Sequence, residues 1–194
     1  MLPDRIFFTG VPGSRWSGIA QILESVPGFN TSDRTTERTY THHSYTGHVG
    51  AYFGWGMEFE PLINFVGKHH IDQAWIQPGG CRLVKSHQWP DKFAEIERHY
   101  PDDWIMLVYR PDMASYAWWH EAGGFQIKYP NYKWYKDEAD MLHEISRTNK
   151  LILNYACEKR ARWEYFTPEW VFERFGHWVK IPKIHSDILV TLIK

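Results

Sequence analysis

The sequence predicts an α/β domain built on a parallel sheet, because three apolar runs are each followed by a turn and a helix-forming stretch. The runs are Ile6-Phe7-Phe8-Thr9, CRLVKS at 81–86 and WIMLVY at 104–109. Unbroken apolar runs of this length suit strands covered on both faces, and WIMLVY is the best candidate for the centre of the sheet.

After Thr9 comes the turn Gly10-Val11-Pro12-Gly13, with Ser14 placed to cap a helix. From Ser17 to Val26 the positions Ile19, Ile22, Leu23 and Val26 recur at helical spacing, and Pro27-Gly28 ends the pattern. The second run stops at His87, and Pro90 is expected to open a helix carrying Phe93 and Ile96. The third runs into Arg110-Pro111 and a helix from about Asp112 to Glu121. Asp137 is expected to cap a long helix whose apolar stripe is Leu142, Ile145, Ile152, Tyr155 and Ala156. The cluster Lys159, Arg160 and Arg162 falls at its end, either as favourable charge at a helix C-terminus or as a patch for an anionic substrate. Two irregular stretches, Asn30 to Glu58 and the segment from Gly123, mix aromatic and polar residues; long loops of this kind are usually functional.

At 194 residues a single domain, 1–194, is expected. Hydrophobic residues make up 43% and charged residues 23%, ordinary values, whereas eleven each of Trp, Tyr and Phe are an excess. The net charge of −1 argues against non-specific binding to nucleic acid or an anionic membrane, so any anion must be held by local groups. Two distant cysteines form neither a disulfide framework nor a zinc spacing. The chain reaches the polar Asp4-Arg5 almost at once and has no apolar run of membrane-spanning length, so a soluble cytoplasmic protein is expected.

Three stretches carry candidate chemistry. The first, GVPGSRWSG at 10–18, lies where a strand feeds a helix, so backbone N–H groups and the helix dipole converge on a spot suited to phosphate or sulfate. It departs from the nucleoside-triphosphate loop, since Arg15 and Trp16 stand where Gly and Lys belong and only Ser17 fits. An anion loop and a structural glycine turn both satisfy the spacing. The second, RLVKSHQWP, sets Lys85 and His87 two apart at a strand end; they are expected to share a face at the carboxyl edge, the Lys neutralising charge and the His taking a proton. In the third, YRPDMAS, Arg110 offers a planar fork and Ser115 a hydroxyl, a pair suited to phosphate, although Arg110 could equally hold a structural salt bridge.

Taken in order, these stretches resemble the sulfotransferases that use 3′-phosphoadenosine 5′-phosphosulfate (PAPS), over residues 5 to 119. The resemblance implies a three-layer P-loop-type fold with a central parallel sheet flanked by helices, and sulfuryl transfer from PAPS to a hydroxyl or amine of a small-molecule or saccharide acceptor. It also implies release of 3′,5′-ADP and no metal. On this basis Pro12, Gly13, Ser14, Arg15, Trp16 and Ser17 would hold the 5′-phosphosulfate end, with Trp16 stacking on adenine or filling the core. Arg110 and Ser115 would read the 3′-phosphate, and His87 would be the general base. Familiar members carry a Lys directly after the Pro that aligns with Pro12; this chain has Gly13, leaving Arg15 or Lys85 to stabilise the leaving phosphate oxygen. The spacing from Arg110 to Ser115 is five where eight is usual in that family.

Two rivals stand beside this expectation. A P-loop kinase of a small metabolite would share the fold, and a non-catalytic nucleotide- or saccharide-binding module would need only the loop. Aromatic residues at Tyr40 to Trp55 and Phe125 to Tyr135 are candidates for an acceptor pocket or for core packing. His42, His43, His48 and the pair His69-His70 lack cysteine partners or an H-E-x-x-H spacing and are expected to be solvated loop residues.

Overall fold

The computed structural model describes residues 2–33, 71–126, 135–183 and 187–194. His42, His43, His48, His69, His70 and the Tyr40 to Trp55 stretch lie outside the described residues. Strand β1 (Arg5–Thr9) feeds helix α1 (Trp16–Glu24) and the short β2 (Phe29–Asn30). Strand β3 (Cys81–Lys85) feeds α2 (Phe93–His99), and β4 (Trp104–Tyr109) feeds α3 (Asp112–Glu121). The chain continues through α4 (Glu138–Glu158), β5 (Glu164–Tyr165), α5 (Pro168–Phe175) and β6 (Leu189–Ile193).

The six strands form one sheet in the order β2-β3-β1-β4-β6-β5. The first four are mutually parallel, as the strand-then-helix pattern predicts. The sheet as a whole is mixed, because β6 runs antiparallel to both β4 and β5. The parallel pairing expected of the strand-then-helix units is therefore confined to β1–β4: those units end with α3, and β6 enters from the opposite edge.

Side chains alternate across the strands and split the core in two. On one face Phe7, Val84, Ile105 and Leu107 pack under α2, α3 and α4 through Ile96, Trp119 and Ile145. On the other, Ile6, Phe8, Leu83, Met106 and Val108 pack under α1 and α5 through Ile19, Leu23 and Trp170. All five residues of β1 are buried, as a central strand covered on both faces requires.

Several helix boundaries follow from readable chemistry. The Asp137 side chain accepts a hydrogen bond from the Asp140 N–H at 2.9 Å, the expected cap of α4. Thr167 caps α5 in the same way, Pro168 occupies its first turn, and Gly176 closes it at φ 70°. Pro90 opens a short 3₁₀ turn, Trp89–Lys92, and α2 proper begins only at Phe93. Within the basic cluster after α4, Lys159 pairs with Glu97 of α2, and Arg160 adopts a left-handed φ of 53°.

The arrangement fixes where a ligand could sit. The helix after β1 covers one face, whereas those after β3 and β4 cover the other. The chain therefore parts in opposite directions at the carboxyl end of β1, the place where open α/β sheets leave a crevice. Because β6 is antiparallel, its amino end arrives at this same edge: Leu189 pairs with Tyr109, the last residue of β4.

Candidate functional site

The loop after β1 is shaped by close approach as much as by dihedral preference. Gly13 has φ 77°, and a Cβ there would lie 1.9 Å from the Ser115 carbonyl oxygen and 2.9 Å from the Trp119 nitrogen. The loop thus lies directly against the backbone of α3, which only glycine permits. A Cβ on Gly10 would meet Ser14 Oγ at 2.7 Å and Trp16 Cβ at 2.8 Å. The Ser14 hydroxyl and N–H both donate to the Val11 carbonyl, at 2.8 and 3.1 Å, closing the turn. Pro12 and Ser14 are buried, so Ser14 acts as a clasp within the loop.

Arg15 follows in the left-handed conformation, φ 63° and ψ 17°, as the N-cap of α1 with no side-chain capping bond. Its carbonyl accepts from the Gly18 and Ile19 N–H groups at 3.0 and 3.2 Å, starting the helix. Its guanidinium lies over the Trp118 ring, 3.5 Å from the centroid, a cation–π contact. Arg15 Nε and Nη1 are buried and have no hydrogen-bond partner among the described residues. Burial first, and then the neighbouring Arg110 charge, lower the Arg15 pKa from its ordinary value. A left-handed cap, two buried nitrogens without a partner among the described residues and a like charge nearby thus meet at the head of α1.

Arg110 completes the corner. It stands at the end of β4, where its Nη1 donates to Ala114 O at 3.0 Å and Gly13 O at 3.4 Å. Its Nε and Nη2 meet Asp187 Oδ2 at 2.9 and 2.8 Å. The structural salt bridge allowed by the sequence is therefore present, with a carboxylate just before β6. The Asn149 side-chain amide of α4 donates to Arg110 O at 2.9 Å and to Asp112 Oδ1 at 2.6 Å, tying down the turn from β4 to α3.

The other expected residues are distributed differently. Trp16 is buried against Phe8, with ring centroids 5.6 Å apart, and so fills the core. Ser17 lies in the first turn of α1 and is partly exposed. Ser115 is fully buried, and its hydroxyl donates to Arg110 O at 3.2 Å, so it braces the Arg110 turn from within. Strand β3 ends at Lys85, and its ammonium meets Glu24 Oε1 at 2.7 Å, the two side chains being 7% and 3% exposed. Glu24 is the last residue of α1, about 12 Å along the helix from Trp16. His87 is also buried, but its ring packs edge-on to Trp16 at 6.5 Å, near the start of α1. Lys85 and His87 thus turn toward opposite ends of one helix, although their spacing places them on one face.

The Glu24–Lys85 pair has a measurable consequence. Lys85→Met breaks a buried ion pair and is expected to cost about 3–5 kcal/mol. Adding Glu24→Leu should recover most of that loss. Urea unfolding of the single and double variants reads both, and a Lys85→Met protein as stable as the parent would show that the pair contributes nothing.

Sequence reasoning reached Arg15, Gly13 and Arg110 but not Trp118, Asp187, Asn149 or Glu24. Trp118 lies three residues after Ser115, nearly one helical turn on, which is a weak signal; the others are brought in by tertiary packing alone. No protein-family model matches the chain, no curated protein matches it, and no solved structure matches its fold.

Proposed function

We propose that the carboxyl edge of β1 and β4 binds the phosphosulfate end of PAPS, and that the chain transfers the sulfuryl group to a hydroxyl or amine of an acceptor. The observation that carries this reading is Arg15: a guanidinium at a helix start, with two buried nitrogens lacking acceptors among the described residues and a second guanidinium beside it. The parallel β2-β3-β1-β4 core with helices on both faces supports the finer assignment of a three-layer P-loop-type fold. In this reading Arg15 and the N–H groups at the head of α1 hold the anionic end, and Arg110 reads the 3′-phosphate. Gly13 and Ser14 shape the loop, and Ser115 and Asn149 position Arg110. Lys85, bound at the far end of α1, falls outside the reacting centre, so Arg15 is the cation that faces the leaving phosphate oxygen.

His87 is the proposed base. The acceptor oxygen or nitrogen attacks sulfur, the bond from sulfur to the phosphate oxygen breaks, and the electron pair leaves with 3′,5′-ADP. The acceptor proton passes to the His87 imidazole. Calorimetric titration with 3′,5′-ADP, 5′-AMP and Mg²⁺-ATP tests the binding half: a clear preference for 3′,5′-ADP is expected, and binding of Mg²⁺-ATP alone would favour the kinase. For the chemical half, His87→Ala is expected to keep its affinity for 3′,5′-ADP and lose transfer by about 10²-fold or more. Undiminished turnover in that variant rejects the base assignment.

The capture of Lys85 by Glu24 favours a second reading, a nucleotide-binding module that holds the anion without transferring it. Release of 3′,5′-ADP from PAPS in the presence of an acceptor distinguishes the enzyme from the module.

A further inference from the structure

Arg110 has five N–H donors, and four are engaged among the described residues: Nε and one on Nη2 with Asp187, and both on Nη1 with Gly13 and Ala114 carbonyls. A guanidinium grips phosphate or sulfate best along an edge, through two parallel N–H groups. The Nε–Nη2 edge is covered by Asp187, and the Nη1 donors are held by the loop and α3. An oxyanion can therefore take Arg110 by a forked edge only by taking the place of Asp187.

We propose that Asp187 is a built-in competitor for the anion site, holding Arg110 in the empty protein and yielding it to a doubly charged oxyanion such as a phosphate monoester. This rests on the reading of the β1–α1 corner as an anion site. The burial of the two partners suits the exchange. The Arg110 side chain is 11% exposed and anchored to two carbonyls, whereas Asp187 is 51% exposed and can turn to water. The charge count suits it as well. Asp187 acts electrostatically on Arg15 as well as bonding to Arg110, so one carboxylate partly neutralises two guanidiniums. A monoanion offers no more charge than the tethered carboxylate already supplies. A dianion does. Asp187 therefore sets a threshold that discriminates against singly charged ligands.

The test is titration of wild-type protein, Asp187→Asn and Glu121→Gln with 3′,5′-ADP, with circular dichroism confirming that each is folded. Glu121 is an exposed carboxylate that Arg15 also senses and that does not bond to Arg110, so it reports the general effect of removing negative charge. Asp187→Asn is expected to bind roughly five-fold more tightly than wild type, the factor appropriate to releasing a half-exposed ion pair. Glu121→Gln should change affinity less than two-fold. Equal tightening in both variants would mean that only the overall field matters and would overturn the proposal. Unchanged or weaker binding by Asp187→Asn, with wild type binding well, would overturn it while leaving the anion site in place. Absence of binding by both wild type and Asp187→Asn would remove the anion site itself, and the competitor with it.

Discussion

Gly13→Ala is expected to destabilise the protein by at least about 3 kcal/mol and to lower its melting temperature by roughly 6–12 °C. Two penalties combine. The backbone at φ 77° disfavours any side chain by about 1–2 kcal/mol, and the new methyl carbon would stand 1.9 Å from the Ser115 carbonyl oxygen. That oxygen belongs to the backbone of α3 and cannot swing aside, so the loop or the helix must move. Gly79 provides the control: it has the same φ of 77° and nothing within 4 Å of the added carbon. Gly79→Ala should therefore show the backbone penalty alone. Thermal unfolding of the two variants separates the terms, and equal losses would show that α3 does not press on the loop. A lysine placed at position 13 would carry the same Cβ and meet the same collision.

Arg15→Gly is expected to move stability and binding in opposite directions. Glycine accepts the φ of 63° that arginine holds at a cost, and the change removes two buried nitrogens without acceptors. Loss of the stack on Trp118 offsets part of that gain, so the net change in stability should lie within about 1 kcal/mol of zero. Affinity for 3′,5′-ADP should fall by about 100-fold, the value of one or two charge-assisted hydrogen bonds to an anion. Unfolding and titration on the same samples measure both. A loss of more than about 2 kcal/mol in stability with unaltered affinity would make Arg15 a prop for the loop and remove the main support for the anion site.

The parallel half of the sheet was legible because local chemistry and tertiary role agree there. Ile6 to Thr9 reads as a doubly covered strand and is one, and the stretch from Asp112 to Glu121 is helical as its pattern indicates. Asp137 caps α4 because its side chain reaches the Asp140 N–H within three residues, an interaction contained in the sequence. Neither β6 nor its direction was read: Ile188 to Ile193 has strand composition, but whether it runs with or against β4 depends on the edge from which it enters. In the site, Arg15 and Arg110 were found through their neighbours along the chain. Their state was not, because the carboxylate bonded to Arg110 lies 77 positions away and the ring beneath Arg15 comes from another helix. Lys85 shows the limit of spacing arguments: alternation sets the face from which a side chain leaves the strand, but a long flexible side chain then goes where it finds a buried partner, here Glu24.

The antiparallel strand also changes the charge of the corner as it docks. Strand β4 gains its second neighbour only when Leu189–Ile193 has been delivered, through a pairing about as distant in sequence as those of β1 with β3 and β4. Loop, helix start and both arginines are all present in the chain well before that event, yet Arg110 would be without its carboxylate until β6 docks. Until β6 docks, the corner is more cationic than in the folded protein. An anion present at that stage would meet the least competition and could stabilise the nascent β1–α1–β4 arrangement. Refolding in phosphate should then be faster than in chloride at matched ionic strength, and the docking of β6 would set the affinity that the folded protein retains.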